Sequence, residues 1–119
     1  MLGAFLYGTA TMSFMRGRHG VTVRAARRLF ALDAPYRNDA HLNLILGSSL
    51  LARGNRDAAG RAFRRGYNRW RRGALQGAPR WTETYKQCLE QYAALQEELG
   101  EVLGAQEIRR DISRLRKDT

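Results

Sequence analysis

The chain has 119 residues and a formal net charge of +10, with 21 lysines and arginines against 11 aspartates and glutamates. A chain of this length forms one domain, residues 1–119, with a modest core. Its single cysteine argues against a disulfide-built secreted domain and favours a reducing compartment. No stretch alternates apolar and polar residues as a strand does, whereas helical periods occur almost throughout. The sequence therefore predicts an all-α protein.

Residues 1–15 are uncharged and rich in apolar and small side chains, and arginines follow them directly. The segment is shorter than the roughly 20 residues of a membrane-spanning helix and lacks the leading charge of a secretory signal. Two interpretations stay open: a first helix packed against protein, which we favour, or a segment that contacts an anionic membrane surface. The acid-free character up to Leu32 is also typical of mitochondrial targeting segments. In the first interpretation these side chains pack against protein: Leu2, Phe5, Leu6, Met12 and Phe14.

Two helices are predicted in the middle of the chain, over about residues 40–53 and 56–72, with Gly54 between them. The first carries apolar residues on more than one face, which indicates packing on both sides. The second carries its apolar residues on one stripe and arginines on the other. A loop over residues 73–81 follows, because two glycines and a proline end the helix there.

The last third of the chain begins with Thr82, which is predicted to cap a helix. Apolar residues then recur at intervals of three and four, as in a core seam: Tyr85, Cys88, Tyr92, Leu95, Leu99 and Val102. A final amphipathic helix is predicted over about residues 105–117.

Several residues of the middle segment have the sizes and spacing of a helical repeat: Leu46, Gly47, Leu50, Gly54, Ala59, Phe63 and Gly66. Over residues 40–72 this pattern resembles one tetratricopeptide repeat. A step of 34 residues back from Gly54 places Gly20 at an equivalent turn, and a step forward places Gly100 there only after a gap. The resemblance implies a right-handed superhelix of antiparallel hairpins at about 9–32, 40–72 and 82–117, closed by a C-terminal capping helix.

The positive charge is concentrated in the first two-thirds of the chain. Residues 1–32 contain five arginines and no acid, residues 33–80 ten arginines and three acids, and residues 81–119 six basic and eight acidic residues. Such an excess predicts an anionic partner, with RNA, anionic lipid and an acidic protein surface all open. The residues expected to meet it are Arg61, Arg64, Arg65, Arg72 and the ring of Trp81.

Catalytic, metal-binding and cofactor-binding patterns are absent from the sequence. His19 and His41 have no carboxylate or cysteine at ligand spacing, and Cys88 lies on an apolar helix face. We therefore predict neither enzyme activity nor a cofactor.

The resulting hypothesis is a non-catalytic adaptor or structural subunit of a larger multi-protein assembly. By the resemblance, the first helix of each hairpin would receive a partner segment, and Asn43, Ser49 and Arg53 are the candidate contact residues. Two alternatives remain. One is an RNA-binding subunit of a ribonucleoprotein such as an organellar ribosome. The other is a supernumerary subunit of a mitochondrial inner-membrane complex, attached through residues 1–15.

Overall fold

The structure is a computed structural model that describes residues 2–73 and 82–117. The described residues form helices and turns without a strand, so the predicted all-α class is confirmed. Residues 74–81, including the predicted loop beyond Gly73, lie outside the described residues. The helices are α1 (Leu2–Met15), α2 (His19–Leu32), α3 (Ala40–Ala52), α4 (Arg56–Gly73), α5 (Thr82–Glu98) and α6 (Val102–Lys117), with a 3-10 helix (Ala34–Asn38) before α3.

Three glycines end α1, α3 and α5 in the same way. Gly17, Gly54 and Gly100 have φ of 73°, 81° and 83°, a left-handed backbone that glycine adopts at little cost. In each turn the glycine N–H donates to the carbonyl three residues back, and the next N–H donates to the carbonyl five residues before it, at 2.8–3.0 Å. This is the Schellman arrangement, which satisfies the last carbonyls of a helix.

The first of these turns lies at Gly17 and not at Gly20, where the repeat spacing predicted it. Gly20 is the second residue of α2. Gly17 and Gly54 are 37 residues apart, because the 3-10 helix Ala34–Asn38 lengthens the link between α2 and α3. The prediction of Gly20 as a turn residue is therefore corrected.

Small side chains occupy matching positions before and after the three turns. Seven residues before each turn glycine stand Ala10, Gly47 and Ala93, all buried. Five residues after it stand Thr22, Ala59 and Ala105, each at most 1% exposed. Because small residues allow helices to approach closely, the same seam position is used in the pairs α1–α2, α3–α4 and α5–α6, whose members pack against each other.

The closest helix approach lies between α3 and α4. A Cβ placed on Gly47 would come within 2.6 Å of the Phe63 ring, and one on Gly66 would come within 3.0 Å of the Leu44 backbone nitrogen. Phe63 is fully buried and stacks on Tyr92 of α5 with ring centroids 5.4 Å apart. These contacts join α3, α4 and α5 in one core.

α3 lies at the centre of the molecule. Every side chain from His41 to Leu50 is buried, because α3 packs against α1, α2, α4 and α5. The prediction that this helix packs on more than one side is confirmed. Asp39 caps the helix, its carboxylate accepting from the Leu42 N–H at 2.9 Å.

The predicted apolar seam of α5 is core over its middle part only. Cys88, Tyr92 and Leu95 are buried, whereas Leu99 and Val102 are 58% and 53% exposed at the α5–α6 turn. α6 begins at Val102, earlier than the predicted residue 105, because Gly100 ends the preceding helix two residues before.

We expect Gly47→Ala and Gly66→Ala to destabilise the protein by about 1–3 kcal/mol each, because the added methyl groups enter a tightly packed seam. Gly60→Ala is the matched control in the same helix system, since its Cβ would meet only Leu95 at 3.8 Å. The control should raise stability by roughly 0.5–1 kcal/mol by removing a helix-interior glycine. Urea unfolding of the three variants measures this, and equal effects at all three positions would contradict the close packing.

Candidate functional surfaces

Two of the three residues expected to contact a partner are buried inside the protein. Asn43 and Ser49 have no exposed surface. The Asn43 amide donates to the Arg37 and Asp39 carbonyls at 2.9 and 2.8 Å and accepts from Arg65 Nε at 3.1 Å. Ser49 Oγ is hydrogen-bonded to His19 Nδ1 at 2.9 Å. Both side chains therefore hold α3 to its neighbours, and we no longer assign them a contact with a partner.

Arg53, the third of these residues, is exposed at the end of α3. Its guanidinium lies over the first turn of α2, where a Cβ on Gly20 would come within 2.8 Å of it. Arg53 is thus accessible, but it also covers the start of a neighbouring helix.

His41 joins the first helix of each pair. Its Nε2 is 2.9 Å from Thr11 Oγ1 of α1, and its Nδ1 is 3.2 Å from the Tyr85 hydroxyl of α5. Tyr7 stacks on the imidazole with centroids 5.3 Å apart and donates to Asp39 at 3.3 Å. No sequence pattern indicates this role, because the two residues whose hydroxyl groups bond to His41 are distant in the chain. Thr11 is 30 residues away and Tyr85 is 44 residues away.

Burial sets the ionisation of this cluster. It lowers the pKa of His41 from the usual 6.5, while the nearby Asp39 carboxylate opposes that shift. Burial also raises the pKa of the Tyr85 hydroxyl to about 12, assisted by the Asp39 charge. At neutral pH the cluster therefore holds a neutral imidazole between two neutral hydroxyls.

We expect acid to weaken the fold through His41. The folded protein keeps this imidazole neutral, whereas the unfolded chain takes up a proton below about pH 6.5. The stabilisation is therefore complete above that pH and is lost as the pH falls through the lowered folded-state pKa, by at most about 1.4 kcal/mol per pH unit. Thermal melts between about pH 7.5 and 5 measure it. His41→Gln should melt lower at neutral pH but with a shallower pH dependence, and an equally steep dependence in the variant would contradict this role.

The described residues do not form a recognisable catalytic centre. Ser49 and His19 are hydrogen-bonded, but Ser49 is fully buried and no carboxylate bonds to the imidazole. Burial raises the pKa of the Cys88 thiol to about 12, against a smaller opposing effect of a hydrogen bond with Ser48. A thiol held neutral at pH 7 is a poor nucleophile. Within residues 2–73 and 82–117, no group of three or more His, Cys, Asp or Glu could hold a metal ion.

An apolar surface runs along the outer side of α1. Its four large side chains lie at helical intervals and are about half or more exposed: Leu2 (49%), Phe5 (69%), Met12 (51%) and Met15 (59%). We call these four residues the α1 face. Leu6 is buried and Phe14 packs against the core, so only part of the predicted packing of residues 1–15 occurs within the chain. No described helix is long and apolar enough to cross a membrane.

The arginines divide into an ion-paired set and a free set. Arg56, Arg71 and Arg109 pair with carboxylates of α5 and α6. Among the described residues, no carboxylate lies within 4.0 Å of the arginines of α2 and of the turn before it, nor of five arginines of α4. We call these five the α4 arginine face: Arg61, Arg64, Arg65, Arg69 and Arg72, all exposed.

The α4 arginine face contains all four arginines predicted to meet an anionic partner. Arg61 and Arg64 line a groove of about 910 Å³ between α4 and α5, beside Tyr92 and Gln96. Arg65 is partly engaged, since it donates to Asn43. Trp81, the predicted aromatic contact, lies outside the described residues.

Comparison of this chain with known protein families, with curated proteins and with solved structures gave no match.

Proposed function

We propose that the protein is a non-catalytic adaptor or structural subunit of a larger multi-protein assembly. It uses the α1 face to bind a partner protein, and the free arginines orient that partner by its negative charge. We further propose that its three helix pairs are tetratricopeptide-like hairpins in a right-handed superhelix, with α6 as the capping helix.

The repeat proposal is supported by the turns at Gly17, Gly54 and Gly100. They share one hydrogen-bond pattern and one placement of small seam residues. A repeated pair of helices would produce such a turn three times within 119 residues. α6 supports a closing role because its outer side carries the exposed arginines Arg109, Arg110 and Arg114.

The single observation that carries the adaptor proposal is the exposure of the α1 face. Four large apolar side chains in contact with water on one helix face mark an interaction site, since monomeric proteins rarely leave such a surface uncovered. The other side of α1 is anchored in the core by Leu6 and Ala10. The face is therefore presented by a helix that the fold holds in place.

We expect Phe5→Glu combined with Met15→Glu to reduce recovery of protein partners when the tagged chain is purified from its own cells. Both side chains are largely exposed, so the melting temperature should stay close to that of the parent. Leu99→Glu combined with Leu103→Glu is the matched control, because these residues are also exposed apolar side chains but lie at the α5–α6 turn. Equal loss of partners in both double variants, or none in either, would contradict the role of the α1 face.

The α4 arginine face favours a second candidate function, an RNA-binding subunit of a ribonucleoprotein. Arginines without internal carboxylates are available for phosphate oxygens, which they bind in a bidentate manner. The face lies on one continuous helix, and Arg61 and Arg64 line the groove between α4 and α5, which Asp57 and Glu101 also line.

Under the RNA hypothesis, Arg61→Gln with Arg64→Gln should weaken RNA binding and reduce the slope of log affinity against log salt by roughly 0.7–0.9 per lost phosphate contact. Arg27→Gln with Arg28→Gln removes the same charge from exposed positions of α2 and serves as the control. Filter binding at several salt concentrations provides the measurement. Identical slopes for the two variants, together with nuclease resistance of the native complex, would exclude RNA as the partner of this helix.

A further inference from the structure

A groove of about 480 Å³ runs along α1 beside the start of α2. Phe5 and Met12 form its ridges, Gly8 lies in its floor, and Arg16 and Arg18 stand at one end. A Cβ placed on Gly8 would meet nothing within 4 Å, so the floor is open to an incoming group. The groove thus includes the centre of the α1 face and two free arginines.

The same positions of α3 are covered by a helix. Aligned at the turns Gly17 and Gly54, residue n of α1 corresponds to residue n + 37 of α3. Phe5, Gly8, Met12 and Arg16 then correspond to Leu42, Ile45, Ser49 and Arg53. All but Arg53 are fully or almost fully buried in α3, whereas Phe5 and Met12 are 69% and 51% exposed.

α2 is the helix that covers these positions of α3. Leu42 and Ile45 share a core cluster with Ala25 and Leu29 of α2. Near its other end α3 meets the start of α2, where Ser49 bonds to His19. α2 therefore runs in the opposite direction to α3, and α1 has no equivalent neighbour among the described residues.

The charge at the end of the groove restricts what can bind there. Arg53 lies over the first turn of α2 at Gly20, so Arg16 would lie over the first turn of a helix bound to α1 in the same way. Residues 1–32 contain no acidic residue, and Arg16 and Arg18 have no carboxylate partner among the described residues. A carboxylate in that first turn would meet these guanidinium groups and the positive end of its own helix dipole.

We propose that the α1 groove binds an amphipathic helix of a partner protein, antiparallel to α1 and with an acidic residue in its first turn. The inference rests on the proposed adaptor function and names the chemistry of the partner. A lipid bilayer fits the groove less well, because a planar surface would leave the floor at Gly8 uncovered. A second copy of the chain is disfavoured by its charge of +10.

The test uses the full chain and a fluorescent stapled peptide as the probe. The peptide has the sequence of residues 18–33 with its four arginines replaced by glutamate, so that it keeps the apolar side of α2 and has acidic residues in place of basic ones. We expect saturable binding by fluorescence anisotropy. Gly8→Glu should weaken it at least tenfold by placing a charge in the apolar groove, and Arg16→Glu should weaken it at least tenfold and reduce its salt dependence.

Matched controls separate the groove from general effects of size and charge. Gly60→Glu makes the same replacement in a helix at a different surface, and Arg110→Glu makes the same charge change at an exposed position of α6. Both should bind the probe as the parent does, and all variants should melt within a few degrees of it. A peptide of the same composition in scrambled order should not bind.

Several results would overturn the inference. The first group concerns the probe: no binding to the parent, equal binding to the parent and to Gly8→Glu, or binding of the scrambled peptide to the parent. Self-association of the parent in sedimentation that Gly8→Glu abolishes and Gly60→Glu does not would assign the groove to a second copy. Co-sedimentation with vesicles containing anionic lipid that Gly8→Glu abolishes and Gly60→Glu does not would assign it to a membrane.

Purification of tagged chains from their own cells separates this inference from the adaptor function. Loss of a partner in Gly8→Glu but not in Gly60→Glu would support the inference where that partner contains a helix that competes with the probe. Equal recovery of partners by the parent and both variants would overturn the groove inference and leave the adaptor function standing. Recovery of no partner by the parent would contradict the adaptor function itself.

Discussion

The burial of α3 is the constraint on which the rest of the structure depends. A helix with neighbours on every side can expose no polar group, so each polar side chain on it needs a hydrogen-bond partner from another element. Asn43 has three partners, His41 bridges α1 to α5, and Ser49 bonds to α2. Among the described residues, no buried side-chain nitrogen or oxygen lacks a partner. The polar side chains of α3 therefore fix the positions of the helices around it.

The same constraint leaves the centre of the molecule without an exposed helix side on which a partner could bind. A repeat protein that receives its ligand on the first helix of each pair needs an exposed side on those helices, and α3 has none between His41 and Leu50. α1 differs because it is packed on one side only, by Leu6 and Ala10. Its outer side is the surface that corresponds to the covered side of α3. An exposed apolar surface thus lies on α1, on the side that α2 covers in α3.

The sequence predicted the helices better than the positions of the turns between them. Some features can be recognised within a segment of about 34 residues. They are the helix period, the turn at Gly54 and the contact between Gly47 and Phe63. The link between α2 and α3 contains a 3-10 helix, which the repeat spacing does not include. The first turn therefore lies at Gly17 and not at the predicted Gly20. The period of a single helix also does not tell how many neighbours it has. The sequence therefore predicts Asn43 and Ser49 on a surface that contacts a partner, whereas both lie in the core.

The distribution of ion pairs explains why the net charge is concentrated on two surfaces. Most carboxylates of α5 and α6 are within reach of an arginine, and Asp111 is shared by Arg71, Arg114 and the Tyr67 hydroxyl. In these pairs the acidic residues of the last third of the chain bind arginines of the same chain. Among the described residues, no carboxylate lies within 4.0 Å of the arginines of α2 or of the α4 arginine face. Exposed ion pairs add little stability, but unpaired charges of one sign attract charges of the other sign over roughly 10 Å. The positions of the ion-paired acidic residues therefore determine where the described surface keeps uncompensated positive charge.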